Sequence, residues 1–163
     1  MMDSITIRPL TLADEPFLWD MLYQALYVPA GQPPFPRDIM HEPDISRYAQ
    51  GWGRADDQGF VALDEGKPVG AVWLRLLTRD QRGFGYVDET TPELSIALLP
   101  EYRGQGIGSK LIIHLLDQIQ SRYDAVCLSV SPDNPAKRLY ERLGFDVVGK
   151  NGTALTLVKR WGK

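Results

Sequence analysis

The sequence predicts an α+β fold, a mixed central β-sheet flanked by helices. Three observations carry that expectation. Strand-like segments first come in a run, and only toward the C-terminus do strands and helices alternate in the manner of a parallel crossover. No internal repeat and no linker divides the chain. The 163 residues suit a single domain, 1–163, around one core.

The elements follow in order. SITIRPL has strand character, with Ile5 and Ile7 alternating against Thr6 and Arg8. TLADEPFLWDMLYQAL reads as a helix with Thr11 or Asp14 as N-cap, because Phe17, Leu18, Met21, Leu22, Ala25 and Leu26 recur at helical spacing. Five of the 12 prolines fall between Pro29 and Pro43, which rules out a long helix there. DISRYAQGW is a short helix capped by Asp44. GFVALDEGKPVGAVWLRLL reads as two strands joined by a turn at 64–68, and TRDQRGFGYVDETTP as a polar loop. ELSIALLP is a third strand, ended by Pro100. Ile107, Leu111, Ile112, Leu115, Leu116 and Ile119 give the next helix one apolar face, which His114 borders. AVCLSV is a strand, NPAKRLYERLG a helix ending at Gly144, and TALTLVKRW a final strand.

Composition narrows the function. Eighteen basic against 21 acidic residues give a formal charge of -3, so no broad electrostatic footprint exists for nucleic acid or an anionic membrane. Any anion must be captured locally. The single cysteine, Cys127, excludes an internal disulfide and reads as a small buried thiol in AVCLSV. His41 and His114 lie far apart, and no Cys/His cluster has zinc spacing, so no metal is expected. The N-terminus MMDSITIRPL lacks the continuous apolar core of a signal peptide, and no window reaches the roughly 18 apolar residues of a membrane span. The expected location is cytoplasmic.

One stretch carries the chemistry. In PEYRGQGIGSKLIIHLLDQI, Gly104, Gly106 and Gly108 recur at every second position immediately before an amphipathic helix. Glycine costs a helix about 1 kcal/mol relative to alanine, so three at a helix start imply that something approaches the backbone closely. A dinucleotide fingerprint fails because Ser109 stands three after Gly106, and a Walker A loop fails because Gly108-Ser109-Lys110 has no earlier glycine at the right spacing. Successive N–H groups free of side chains can wrap a pyrophosphate, and the helix N-terminus adds partial positive charge. Ser109 adds a hydroxyl and Arg103 a cation. A tight turn alone would need one glycine, not three.

Arg103-Gly104-Gln105-Gly106-Ile107-Gly108 matches the pattern R/Q-x-x-G-x-G/A. With ELSIALLPEY before it and DNPAKRLYERLGF after it, the region 93–145 resembles the cofactor half of the GNAT N-acetyltransferases. The N-terminal resemblance is one of element order only. The resemblance implies a GNAT fold with a splayed strand pair, acetyl-CoA as cosubstrate, an acceptor-binding half at 1–92 and an acyl-CoA-binding half at 93–163. It implies that residues Arg103 to Ser109 hold the pyrophosphate. Main-chain groups of Ile96, Ala97 and Leu98 would pair with the pantetheine arm as an added strand does, and an N–H near Leu98 would polarise the thioester carbonyl. Asn134 is a good N-cap with Pro135 at N1; the resemblance adds a contact to the cofactor arm. Tyr140 matches the usual general acid of the family, although a core tyrosine is the plainer reading.

The base is left open. A glutamate often stands five residues before the motif's asparagine, and here that position is Ser129. Glu93 is the best remaining carboxylate, and it reads equally as a solvated strand-edge charge. Glu101, nearer the loop, suits the role less. The expected function is transfer of an acetyl group to a primary amine of a small molecule, by direct attack in a ternary complex. The alternatives are acetylation of a protein lysine or N-terminus, and a non-catalytic acyl-CoA-binding module. Acceptor recognition falls to 23–53 and 78–91, where Tyr27, Phe35, Tyr48 and Trp52 either line a pocket or fill gaps, and Asp38, Glu42 and Asp44 suit a cationic amine. A homodimer accords with the family's habit, with no interface specified by the sequence.

Overall fold

The computed structural model describes residues 4–161. Residues 1–3 and 162–163, which belong to the 1–163 span and include the start of the N-terminal segment, lie outside the described residues. The strands are β1 (Ile5–Pro9), β2 (Gln58–Asp64), β3 (Lys67–Arg75), β4 (Glu93–Leu98), β5 (Ala125–Val130), β6 (Asp146–Asn151) and β7 (Ala154–Arg160). They form one sheet in the order β1-β2-β3-β4-β5-β7-β6. Every adjacent pair is antiparallel except the central one, β4–β5. The helices are α1 (Glu15–Ala25), α2 (Pro43–Ser46), α3 (Ile107–Ile119) and α4 (Ala136–Arg142). The mixed sheet and flanking helices are the α+β architecture the sequence predicts.

Two apolar layers sandwich the sheet. On one face α3 buries all six residues of its predicted stripe against Phe60, Val72, Leu74, Leu94, Val126 and Leu128. Each such side chain contributes about 1.5–3 kcal/mol on leaving water. Tyr140 of α4 joins this layer. On the other face Leu18, Met21 and Leu22 of α1 pack with Ile45 of α2, Tyr48, Trp52, Ala71 and Trp73. Strand alternation divides the two sets: Val72 and Leu74 face α3, while Ala71 and Trp73 face α1. The β2–β3 turn is two residues, Glu65 and Gly66, both at positive φ.

Two expectations change. Asp44 does not cap α2; Glu42 occupies the N-cap and Asp44 lies in the first turn, because Pro43 takes the opening helical position. A seventh strand, β6, appears where the sequence predicts none. All six of its residues are exposed at the sheet edge, so burial imposes no apolar alternation on them. The signal was Gly152–Thr153, a two-residue hairpin turn between Asn151 and Ala154 with Gly152 at φ 64°.

Arg75, 2% exposed, pins the α2 segment to the sheet. Its Nε and Nη2 donate to the two oxygens of Asp57, each at 3.0 Å, and its Nη1 donates to the carbonyls of Arg47 and Gln50. The Asp57 side chain is 2% exposed too. Removing one partner of such a pair leaves an uncompensated buried charge. Asp57→Ala should therefore lower the unfolding free energy by about 3–5 kcal/mol in urea titration. A loss below about 1 kcal/mol would mean that water reaches Arg75 and that the pair does not hold the α2 segment.

Candidate active site

The site begins where the sheet opens. Strands β4 and β5 share a single register pair, Glu93 with Cys127, next to a hydrogen bond from the Cys127 N–H to the Pro92 carbonyl at 3.0 Å. Beyond it they part. On its other side β4 stays paired with β3 along its whole length. The Leu99 N–H donates to the Val69 carbonyl, so alternation turns the main-chain groups of Ala97 toward β3 and those of Ile96 and Leu98 toward the gap. This corrects one expectation: Ile96 and the Leu98 N–H face the gap without a partner among the described residues, the Leu98 carbonyl accepts from Arg103 Nε at 3.4 Å, and the main-chain groups of Ala97 are engaged with β3, so that only its side chain meets the α1 layer.

The glycine loop closes the wide end of the gap. Gly104 and Gly106 have φ of 75° and 84°, a conformation L side chains rarely adopt, and nothing in the protein lies within 4 Å of a Cβ at either. Dihedral need, not crowding by the protein, selects these two glycines. A Cβ at Gly108 would meet the Ile96 and Leu98 Cδ1 atoms at 3.7 and 3.9 Å, ordinary contact that alanine would also satisfy. Gly106 is the N-cap of α3 and has no side chain to bond the first-turn N–H groups of Ile107, Gly108 and Ser109. These donors and the macrodipole make an anion cradle. The Ile107 side chain is fully buried, so that residue brings only its main chain. Gln105 turns back, its Nε2 donating to the Glu101 carbonyl at 3.0 Å. Arg103 is drawn to α1, its Nη2 donating to Gln24 Oε1 at 3.1 Å.

Asn134 Oδ1 accepts the Ala136 N–H at 2.9 Å, the expected capping bond at the start of α4. Its Nδ2 has no partner among the described residues and remains available to a ligand. Tyr140 is 8% exposed and meets Phe145 edge to face. Burial pushes its phenol up to about 12. Its hydroxyl has no hydrogen-bond partner among the described residues.

Glu93 is no solvated edge charge. It is 4% exposed and stands where β4 and β5 meet, its carboxylate on the α1 face, opposite Tyr140. Its Oε2 accepts from the Tyr48 hydroxyl at 2.6 Å and from the Gly85 N–H at 3.1 Å. The Tyr48 hydroxyl in turn accepts the Phe84 N–H at 2.6 Å. Oε1 is the one buried side-chain polar atom without a hydrogen-bond partner among the described residues. Burial raises the carboxyl from 4.5 to about 7, against the lowering effect of the bonds from Tyr48 and Gly85. The 83–85 loop lies tight on this group. A Cβ at Gly83 would come within 2.2 Å of Glu93 Oε1, and one at Gly85 within 2.6 Å of the Leu128 carbonyl carbon.

The sequence reading offered Tyr48 as pocket lining or gap filler and missed its bond to Glu93. Tyr48 reads so because its partner is 45 positions away; the paired glycines at 83 and 85 were the one local hint of a backbone held close. Ser129 lies on β5 in register with Thr156, without a carboxylate of its own. Beyond Glu93, a cavity of about 460 Å³ opens between the 82–86 loop and the β6–β7 hairpin. Asn151 Nδ2 joins its two walls by donating to the Phe84 carbonyl at 3.1 Å.

The chain matches the model of the acetyltransferase (GNAT) family over residues 19–145. It is 35% identical over 107 residues to a mycothiol acetyltransferase of Brachybacterium faecium, covering 64% of this chain and 30% of that protein. It is 38% identical over 89 residues to the N-alpha-acetyltransferase 30 of Schizosaccharomyces pombe, covering 53% and 55%. The chain thus spans less than two thirds of either relative's length. Its fold is similar to that of the PaiA N-acetyltransferase of Thermoplasma acidophilum in complex with coenzyme A, with a TM-score of 0.69 at 18% identity over 97% of this chain and 99% of the other.

The glycine geometry separates two substitutions. Gly106→Ala forces a Cβ into left-handed backbone and should cost about 1–2 kcal/mol. Gly108→Ala gains helix propensity without a clash and should leave stability unchanged or raise it by up to about 1 kcal/mol. Thermal denaturation of the two variants reads the difference; equal losses would refute the dihedral account.

Proposed function

The chain belongs to the acetyltransferase (GNAT) family, and from that premise we propose that it moves an acetyl group from acetyl-CoA to a primary amine of a small molecule. One observation carries the reading: the central strands part above a loop whose donors no protein group caps. The residues fit the cosubstrate. The first-turn N–H groups after Gly106, with Gly104 and the Ser109 hydroxyl, would hold the pyrophosphate; the main-chain groups of Ile96, the Leu98 N–H and the Asn134 amide would hold the pantetheine arm. Bound there, acetyl-CoA supplies an activated acyl carbonyl. The 93–163 segment would be the acyl-CoA half and 1–92 most of the acceptor half.

Glu93 and Tyr140 lie on opposite faces of the sheet, which would suit a base on the acceptor side and an acid on the thiol side. Glu93 titrates near 7, close to the optimum for a base at neutral pH. Its unpartnered Oε1 is the atom to take a proton, directly or through a water. Tyr140 at about 12 stays protonated and able to donate. A thiolate formed in the same dry space is raised by the same loss of solvent above its usual value of about 8.5, which narrows the mismatch. The Leu98 N–H would support the carbonyl oxygen. The covering 83–85 loop favours a small acceptor over a protein segment, which needs an open groove.

Calorimetric titration tests the premise: acetyl-CoA should bind the wild type and not Gly106→Glu, while NAD binds neither. Tyr140→Phe should lower kcat about 10²–10⁴-fold with the acetyl-CoA Kd little changed; unchanged turnover would remove Tyr140 from the reaction.

Glu93 also fixes the pH response. The kcat should rise with pH and level off above about 7. Tyr48→Phe removes a bond that favours the carboxylate, so it should move that limb to higher pH. In stability, a folded value above the unfolded one means that the native state holds the proton more tightly. The contribution of Glu93 to stability is then fully present below about 4.5 and is lost as pH rises through about 7. Glu93→Gln should flatten that fall, by an amount on the order of 3 kcal/mol at pH 8 in denaturant titrations at both ends. A wild type and variant with parallel pH curves would show that Glu93 is not held neutral by burial.

A further inference from the structure

The cavity of about 460 Å³ beside Glu93 has a charge pattern that the proposed reaction alone does not explain. Its near wall, Gly83 and Phe84, is the outer side of the loop that latches Glu93. Its floor includes Thr156, the register partner of Ser129 on β5. The cavity therefore opens over β7 against the outer side of the 83–85 loop, and Glu93 is not itself on its wall. Two cations border it, Arg82 from the loop and Lys150 from β6. Neither has a carboxylate within ion-pair distance among the described residues, and the Arg82 guanidinium lies 5.9 Å from the centroid of the Tyr86 ring. The one acid on the cavity wall, Asp44, is turned to Arg47, its Oδ1 3.3 Å from Nη2. The remaining field is positive.

Resting on the function proposed above, we infer that the acceptor is a primary amine that also carries an anionic group, held by Arg82 and Lys150 while its amine lies toward Glu93. This reverses the sequence expectation that Asp38, Glu42 and Asp44 favour a cationic amine. Asp38 and Glu42 are absent from the cavity wall, and Asp44 is matched already. The cations contribute twice. They offset the charge of the anionic group, and their field opposes protonation of the neighbouring amine, which must be neutral to attack. A polyamine would bring two or more positive charges into the same space and meet repulsion there. The cavity draws on both halves of the chain, since Lys150 and Thr156 lie beyond residue 93 and Arg82 before it. The β6–β7 hairpin thus belongs to acceptor recognition.

An amine series of one length tests this. Acetylation of 4-aminobutyrate, its uncharged amide 4-aminobutanamide and putrescine is followed by CoA release, with O-phosphoethanolamine distinguishing phosphate from carboxylate. The expected kcat/KM is at least about tenfold higher for an anionic member than for the amide, and lowest for putrescine. The double variant Arg82→Ala, Lys150→Ala should bring the anion-to-amide ratio to about one, and in the wild type added salt should shrink that ratio. Putrescine as the best acceptor, or a ratio that survives the double variant, overturns the inference while leaving the acetyltransferase reading intact. If no amine is acetylated, the function proposed above fails instead. Calorimetric titration of 4-aminobutyrate and O-phosphoethanolamine into the CoA-saturated protein then decides the cavity separately. Binding that the double variant loses supports an anion site, and no binding of either probe overturns it.

Discussion

A sheet is held together by the pairing of its neighbours, and this one gives that up at its centre. After the Glu93–Cys127 pair, β4 and β5 separate with main-chain donors and acceptors facing each other across a gap neither can span. Buried main-chain groups need partners. Strand β4 remains flat against β3, so the opening is a property of one edge of β4 and not a loss of the strand. The glycine loop, the start of α3, the cap of α4 and the Glu93 carboxylate are all arranged around that opening.

The two faces of the sheet are unlike at this point. Toward α3 lie the side chains of the main core, Tyr140 among them, and burial alone sets the phenol's behaviour. Toward α1 there is a buried carboxylate with one satisfied oxygen and one unsatisfied one, held by Tyr48 and the 83–85 loop. An unpaired buried acceptor costs about 1–3 kcal/mol. Such a cost persists where surrounding structure enforces it, here the two loop bonds and the close packing of Gly83 and Gly85. The price in stability is local, and the benefit is a carboxyl that titrates near 7 instead of near 4.5.

What could be read in the sequence was whatever a short window encodes. The α3 stripe and the glycine spacing both lie within 20 residues, and both appear in the structure as read, though Gly104 and Gly106 are required by their dihedrals and Gly108 by neither dihedral nor crowding. Asn134 caps as its type and position imply. Residues whose meaning depends on a distant partner were opaque. Glu93 reads equally as a base and as an edge charge until Tyr48 and Gly85 are seen around it, and Tyr48 reads as pocket lining or filler until Glu93 is. Ala97 was misassigned because the side of a strand that its amide faces depends on the neighbour's register, which no single strand contains. Strand β6 failed for the opposite reason: an exposed edge imposes no pattern on its residues.

That edge has a consequence for how the molecule meets copies of itself. Strand β6 exposes Val147 and Val148 by 45% and 55%, the kind of apolar border on which chains stack into aggregates. Between Val147 and Gly149, however, its register with β7 slips, and a bulge of this sort twists the outer row of amides away from the straight ladder a foreign strand requires. Asp146 and Lys150 bracket the valines with opposite charges. The β6 rim is thus guarded against strand addition, where it would nucleate aggregation, while the seam in the middle of the sheet stays open to it.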